Sequence, residues 1–305
     1  MNELLTDLDD KVISASRDFM FKAIMLDKEN EPFLKDIINY VSKIPMEDLE
    51  NMVIENIEHL VQNKNDKKMR SDIIISISKF CINIEMNNTY YNGLFQKNDG
   101  YLNLIASKLY NENDQYVDIK HVLQINFDNF SHFKEKKEIH KFIMKEEETN
   151  EILKEMGEVY HIDMAFIRKK CYNKHVSNLN KFERACMILT STSKRELYKY
   201  AGDDEMLKKV ADKIVKLSSD EKMMGLYDAD EQERKIRNTL RYNAVKEGLE
   251  KGMQKGMQQG IKHGIQRGMQ QQNIENAKKM LDKGIKAEDI SEITNLSIDA
   301  MNNLK

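Results

Sequence analysis

Hydrophobic and polar residues alternate in two short runs between residues 72 and 87, and this alternation predicts two neighbouring antiparallel strands. Two sets of apolar residues each share one strand face: Ile73, Ile75 and Ile77, and then Phe80, Ile82 and Ile84. A slip of one residue would turn one set away from the core, so burial of both sets predicts that Ile75 pairs with Ile82. Ser78-Lys79 lacks the residues that favour a two-residue turn, so a longer loop with the same register is an alternative.

The same register places Asp72 directly opposite Glu85. Facing carboxylates destabilise a strand pair, and two carboxylates a few ångström apart do not both stay ionised without compensation. Either one carboxyl group holds a proton, or a cation lies between the two. Proteins typically hold Mg²⁺ through one or two carboxylates, together with water and phosphate oxygens. The alternative is that either acid merely faces solvent at a strand end.

Further periodic segments predict an α/β fold, in which a small mixed sheet of about four or five strands is flanked by helices. Additional strands are predicted at about 51–60, 122–127 and 158–167, and helices at about 16–27, 32–42 and 89–110. From residue 180 to about residue 243 the pattern is helical throughout.

Glycine recurs at every fourth position from Gly248 to Gly268, and an apolar residue follows each glycine. A glycine inside a helix costs up to about 1 kcal/mol, so a helix over residues 244–272 needs a compensating interaction. Close packing against a second copy of this helix would supply one, which predicts a homo-oligomer formed through residues 248–269. The alternative is a flexible, partly helical spacer.

Residues 273–305 predict a small helical tail that resembles a helix-turn-helix. The segment in the position of the reading helix, residues 297–303, contains no Arg or Lys and carries Asp299. Such a surface is poorly suited to phosphate or guanine contacts. We therefore expect this tail to form a packing or partner-binding bundle.

The composition of the chain indicates how it could bind nucleic acid and in which cellular compartment it is expected. The 305 residues include 48 Lys and Arg against 51 Asp and Glu, a net charge of −3, so any contact with DNA must come from a local basic patch. No apolar run approaches the roughly 20 residues that span a bilayer, and the acidic N-terminus does not resemble a signal peptide. Three cysteines without C-x-x-C spacing predict neither a disulfide framework nor a zinc site. We expect a cytoplasmic protein without a membrane segment.

Several motifs occur in an order and spacing that resemble one nuclease family. They are D-F-M-F-K at 18–22, R-S-D at 70–72, N-I-E-M-N at 83–87, G-Y-L-N-L from residue 100, V-L-Q-I-N-F from residue 122, and the glycine-periodic tail. Together they resemble the Rpn family of recombination-promoting nucleases and transposases, within the PD-(D/E)XK nuclease superfamily.

The resemblance implies a restriction-endonuclease-like mixed sheet flanked by helices, followed by a helical region and a long glycine-periodic helix. It implies four segments: a nuclease-like core over residues 1–175, a helical extension over 176–243, the glycine-periodic helix over 244–272 and the helical tail over 273–305.

The resemblance also assigns roles to individual residues. Asp72 and Glu85 would be ligands of Mg²⁺ or Mn²⁺, together with the backbone carbonyl of Met86. Asn87 stands where the family has the Lys or Gln that positions or activates the attacking water. Asparagine is shorter than glutamine and cannot carry a proton as lysine does, so this departure implies weak activity or a replacement group from elsewhere.

Four more charged residues match the family pattern or flank it. Asp18 matches the acid of the family's first helix, which orients a metal-bound water or serves as an outer ligand. Lys22 lies one helical turn later and would contact the scissile phosphate. An ordinary surface ion pair is the alternative for these two residues. Lys68 and Arg70 flank the hairpin and would follow the DNA backbone, with solvated loop charges as the alternative.

The function implied by the resemblance is metal-dependent hydrolysis of DNA phosphodiester bonds, with a role in recombination, mobile elements or defence against foreign DNA. One alternative is a nuclease-fold protein that has lost cleavage through Asn87 and serves as a DNA- or protein-interaction module. Cleavage of RNA is another.

Overall fold

The computed structural model describes residues 10–55, 72–109, 115, 119–153 and 157–302. The chain divides into two compact units, Met1–Asp228 and Ala229–Lys305. Within the described part of the first unit, six strands form one sheet in the order β1-β2-β3-β4-β6-β5. The strands are β1 (Val53–Glu55), β2 (Ile73–Ser76), β3 (Phe80–Asn87), β4 (His121–Asp128), β5 (Ile139–Phe142) and β6 (Glu158–Asp163).

Helices precede, interrupt and follow these strands. The first are α1 (Asp18–Met25), α2 (Glu31–Ser42), α3 (Met46–Leu49) and α4 (Leu94–Lys108). After the sheet come α5 (Met164–Cys171), α6 (Lys181–Thr190), α7 (Lys194–Ala201), α8 (Glu205–Ser218), α9 (Glu221–Asp282), α10 (Ala287–Thr294) and α11 (Ile298–Asn302). Short 3₁₀ turns occupy Lys28–Asn30 and Val176–Asn178. The α/β class and the helical character of the second half are therefore confirmed.

The sheet is mixed, as predicted. β1, β2 and β3 are antiparallel neighbours and β5 is antiparallel to β6, whereas β3, β4 and β6 are parallel. The predicted hairpin register is confirmed, because Ile75 faces Ile82 and Ile73 faces Ile84. The N–H of Ile77 donates to the carbonyl of Phe80 at 2.9 Å. The two-residue connection therefore closes the hairpin, and the longer loop is not needed.

One face of the sheet is apolar and forms the main hydrophobic core with α1, α2, α6 and α8. Successive strand residues point to opposite faces, so Ile73 and Ile75 of β2, Ile82 and Ile84 of β3 and Phe127 of β4 lie together on this side. Phe21 of α1 packs edge-on against Phe127, with ring centroids 5.3 Å apart. This packing fixes the strands whose opposite face carries polar residues.

Helix α4 lies over the opposite face, which changes from apolar to polar along the strands. At the apolar end, Ile74, Cys81 and Val122 pack with Ile105 of α4. Further along, the side chains on this face are polar and buried: Asn83, Glu85, Asn87, Gln124, Asn126, Asp128 and His161. The polar half of this face contains the candidate site.

Two details of the predicted sheet are wrong. The strand β5 was not predicted, because its four residues, I-H-K-F, include only one buried side chain, His140. The strand predicted to reach residue 167 ends at Asp163, whose carboxylate accepts the N–H of Phe166 at 2.7 Å and caps α5. Of the strand predicted over 51–60, residues 53–55 are extended and the remainder lies outside the described residues.

The glycine-periodic segment is part of the long helix α9, which has 62 residues. No described atom outside the helix's own backbone lies within 4 Å of the position that a Cβ would take at any glycine from Gly248 to Gly268. The apolar residues that follow these glycines are between 53% and 77% exposed. The helical tail predicted over residues 273–305 begins with the end of α9, and α10 and α11 follow it. None of the described helices is long and apolar enough to cross a membrane.

Candidate functional site

Asp72 and Glu85 face each other at the polar end of the β2–β3 hairpin, and we call these two residues the carboxylate pair. The N–H of Met86 donates to Oδ2 of Asp72 at 2.9 Å, and the N–H of Asp72 donates to Oε1 of Glu85 at 3.2 Å. Asp72 is 8% exposed and Glu85 is 1% exposed. The hairpin register therefore brings two buried carboxylates to one place, as the alternation of the sequence predicted.

The carboxylate pair concentrates negative charge away from water. Burial raises the pKa of Asp72 to about 7, and the neighbouring Glu85 and Asp18 carboxylates contribute to the rise. Burial also raises the pKa of Glu85, and Lys97 offsets only part of that effect. A proton or a cation would relieve this unfavourable charge.

Two lysine ammonium groups contact the carboxylate pair, one on each acid. Nζ of Lys22 lies 3.0 Å from Oδ1 of Asp72 and 3.3 Å from Asp18. Burial lowers the pKa of Lys22, but Asp72 and Asp18 raise it by more, so the net shift is upward. The structure thus joins Asp18 and Lys22 to Asp72, which a simple surface ion pair would not do.

Lys97 of α4 is the second ammonium group, and sequence reasoning missed it. Its Nζ lies 3.2 Å from Oε2 of Glu85 and 4.9 Å from the ring centroid of Tyr101. Burial lowers the pKa of Lys97, but Glu85, Tyr101 and Tyr91 together raise it by more, so this group remains protonated. The signal in the sequence was a lysine four residues before the inward-facing Tyr101, on the same side of a predicted helix.

Asn87 is buried and turned towards β4. Its amide nitrogen donates to Oδ1 of Asp128 at 2.9 Å and lies 3.5 Å from Oδ1 of Asn126. Oδ2 of Asp128 in turn lies 2.7 Å from Nδ1 of His161. The amide nitrogen of Asn87 is therefore held by β4, and the side chain does not place a positive charge at the carboxylate pair.

The polar row formed by Asn126, Asp128 and His161 was also absent from the prediction. Asn126 and Asp128 follow the alternating polar positions of V-L-Q-I-N-F, and this was a usable signal for a polar face. His161 is 33 positions away from Asp128, and only the parallel pairing of β4 with β6 brings the two together.

The oxygens of this site fit a hard divalent cation. The N–H and C=O of one strand residue point towards the same neighbour, so the Met86 carbonyl lies on the side of β3 that faces Asp72. Among the described residues, no group of three or more His, Cys, Asp or Glu forms a ready-made metal cluster. Mg²⁺ and Mn²⁺ accept carboxylate, carbonyl and water oxygens, so two carboxylates and one carbonyl are a suitable donor set.

Lys68 and Arg70, the predicted contacts to the DNA backbone, lie outside the described residues.

The sequence model of the PD-(D/E)XK nuclease family transposase matches residues 15–242. The chain therefore belongs to this family, and the resemblance inferred from its motifs is confirmed. The mixed sheet with flanking helices is accordingly a restriction-endonuclease-like α/β fold. Searches among curated proteins and solved structures gave no significant match. Family membership indicates a nuclease-like or transposase-related function, and nucleases of this kind generally use divalent metal ions.

Proposed function

We propose that the chain is a metal-dependent DNA endonuclease whose metal ligands are Asp72, Glu85 and the carbonyl of Met86. The observation that supports this most is the buried carboxylate pair, whose two acids share backbone hydrogen bonds and both have a raised pKa. The contacts with Lys22 and Lys97 offset this negative charge only in part, because both pKa values remain raised, so a bound metal ion or a proton would stabilise the pair further. Bound Mg²⁺ or Mn²⁺ would polarise the scissile phosphate and make water a stronger nucleophile.

The side chains around the carboxylate pair would position the phosphodiester. Lys22 and Lys97 are protonated, and each ammonium group has at least one N–H beyond those that contact carboxylates. These groups would donate to the non-bridging oxygens of the scissile phosphate and stabilise the negative charge that develops there. Asp18 holds the Lys22 ammonium group in place through a contact of 3.3 Å.

Lys97 would supply the positive charge that those members of the family with a lysine at the position of Asn87 have there. The Lys97 ammonium group reaches the carboxylate pair from α4, whereas the amide nitrogen of Asn87 is bonded to Asp128. Because its pKa is raised, Lys97 would act as an electrostatic and hydrogen-bonding group and not as a base. Asn87 would hold the adjacent polar row in place.

DNA is the proposed substrate, with a role in recombination, mobile elements or defence against foreign DNA. Lys68 and Arg70 remain predicted contacts to the DNA backbone. The net charge of −3 gives no overall attraction to DNA, so binding should depend on these local groups and weaken with salt.

The proposal is tested by incubating the full chain with supercoiled plasmid in Mg²⁺, Mn²⁺ or EDTA. Nicking that requires either ion is expected. A labelled single-stranded RNA in the same buffers measures the preference for DNA. Binding of plasmid without nicking in either ion would instead favour the interaction module in which cleavage has been lost.

We also propose that the chain forms a homo-oligomer through residues 248–269 of α9, whose apolar residues are exposed beside the glycines. Replacing both Met257 and Ile261 with Glu should reduce the mass measured by light scattering to that of one chain, because the charges would face each other across the helix pair. The matched control replaces Gln258 and Gln259 with Glu and should leave the mass unchanged. A wild-type mass of one chain would contradict this prediction.

A further inference from the structure

An aromatic pocket of about 270 Å³ lies between α4 and the β5–β6 edge of the sheet. Its lining includes Phe95, Asn98, Phe133, Phe142 and His161. The rings form a continuous wall, with centroids 5.8 Å apart for Phe95 and Phe133, and 5.2 Å apart for Phe133 and Phe142. Phe142 is 45% exposed, so the pocket is open to solvent on that side.

Asn98 lines this pocket and is 3% exposed. Neither its amide nitrogen nor its amide oxygen has a hydrogen-bond partner among the described residues. Buried polar groups in native proteins are nearly always hydrogen-bonded, and leaving one unpaired is unfavourable. Both amide atoms are covered in this structure, so the side chain would have to turn towards the pocket, where a ligand with a complementary acceptor and donor would satisfy it.

The aromatic pocket is connected to the carboxylate pair by neighbouring residues. Lys97 contacts Glu85, and the next residue of α4 is Asn98. On the sheet, His161 forms part of the pocket wall and is held by Asp128, which also binds Asn87. β6 is the second strand from β3, so the pocket wall lies about 10 Å from the strand that carries Glu85. A nucleic-acid strand held at the carboxylate pair can place a neighbouring base there.

We propose that the aromatic pocket binds one unstacked nucleobase of the nucleic-acid strand that lies at the carboxylate pair. The flat rings provide stacking surfaces, as in proteins that bind single strands. The Asn98 amide provides a donor and an acceptor, the pairing with which asparagine recognises base edges. A base inside a duplex cannot enter such a pocket, so the base must come from a single-stranded region or be rotated out of the helix. This inference rests on the proposed nucleic-acid substrate.

The test measures binding and does not depend on cleavage. Two short abasic DNA strands are immobilised by one end, one wholly abasic and one with a single adenine at its centre. Binding of the full chain is followed by biolayer interferometry with Ca²⁺, which accepts the same oxygen ligands. The adenine should increase affinity by about 10- to 100-fold, as expected for one stacked base. Repeating the measurement with the other bases ranks their fit.

Two variants of the aromatic pocket should lose this gain while retaining binding to the abasic strand. They are Phe133→Ala, which removes a stacking ring, and Asn98→Leu, which removes the amide but keeps its shape. Asn98→Leu should also fold at least as stably as the wild type, because it removes an unpaired buried polar group. Tyr172→Ala, which removes an exposed ring outside the pocket, is the control and should keep the full gain.

Equal affinity for the two strands would overturn the pocket proposal, and so would absence of binding to either. If metal-dependent nicking of plasmid is observed together with equal affinity, the endonuclease proposal stands and only the base pocket is rejected. If the adenine increases affinity but no ion supports nicking, the base pocket stands and the endonuclease proposal is rejected.

Discussion

Asp72→Asn is expected to abolish nicking and, at the same time, to make the metal-free protein more stable at pH 8. The carboxylate of Asp72 is buried beside Glu85 and Asp18, and its pKa is raised from 3.8 to about 7. The amide oxygen of Asn can still accept the N–H of Met86, but the variant carries no charge at this position. The loss of the Lys22 contact offsets part of this stabilisation. The net increase in the free energy of unfolding should be about 1–3 kcal/mol, or several degrees in unfolding temperature.

The increase in stability of Asp72→Asn over the wild type should grow as the pH rises. Between pH 4 and about pH 7 the native state holds a proton on Asp72 that the unfolded chain releases, because the native pKa is the higher one. This contribution to stability is present at low pH and is lost as the pH rises through the native pKa. In EDTA, the stability of Asp72→Asn should therefore exceed that of the wild type most at pH 8, and the difference should shrink towards pH 4.

Thermal unfolding in EDTA measures the stability of the metal-free protein, and the same measurement in Mg²⁺ shows whether the metal still binds. Mg²⁺ should stabilise the wild type at pH 8, since a ligand that binds only the native state raises its stability, and should have little effect on Asp72→Asn. Asp203→Asn, at an exposed carboxylate, is the matched control and should unfold like the wild type. An unfolding temperature for Asp72→Asn below that of the wild type at pH 8 would contradict the prediction.

Lys97→Met should lower the turnover rate on plasmid by about 100-fold, equivalent to about 2–3 kcal/mol of transition-state stabilisation. Methionine keeps much of the apolar stem that packs near Tyr101 but removes the ammonium group 3.2 Å from Glu85. Lys97→Arg keeps the charge and should retain more activity than Lys97→Met. Lys108→Met, at the other end of α4, is the matched control and should cleave at the wild-type rate.

A rescue experiment distinguishes two roles for Lys97. Either Lys97 takes the place of the lysine that the family can have at position 87, or it only holds the Glu85 carboxylate in place. Asn87→Lys in the Lys97→Met background restores an ammonium group on the same strand face as Glu85, because residues 85 and 87 share that face. Partial recovery of the rate is expected at saturating Mg²⁺. If Lys97→Met alone cleaves like the wild type, the proposed role of Lys97 is wrong.

The alternation of residues 72–87 was sufficient to predict the hairpin register and the approach of Asp72 to Glu85, because both depend on local strand geometry. Lys97 was missed because its contact with Glu85 depends on where α4 crosses the sheet. The contact between Asp128 and His161 depends on the pairing of parallel strands, which no turn in the sequence specifies. Strand β5 was missed because a short edge strand with one buried residue has too little hydrophobic periodicity to stand out.

The polar residues of β3 and β4 that lie under α4 also affect how the two strands align during folding. These strands are parallel and joined through α4, so no tight turn sets their alignment, and the side chains must do so. Asn83 lies beside Gln124, Glu85 beside Asn126, and Asn87 beside Asp128. Shifting either strand by one residue would bury these amides and acids against isoleucine and phenylalanine, which strongly disfavours misaligned sheets. The polar residues of the candidate site therefore also favour the native alignment of β3 with β4 when the sheet forms.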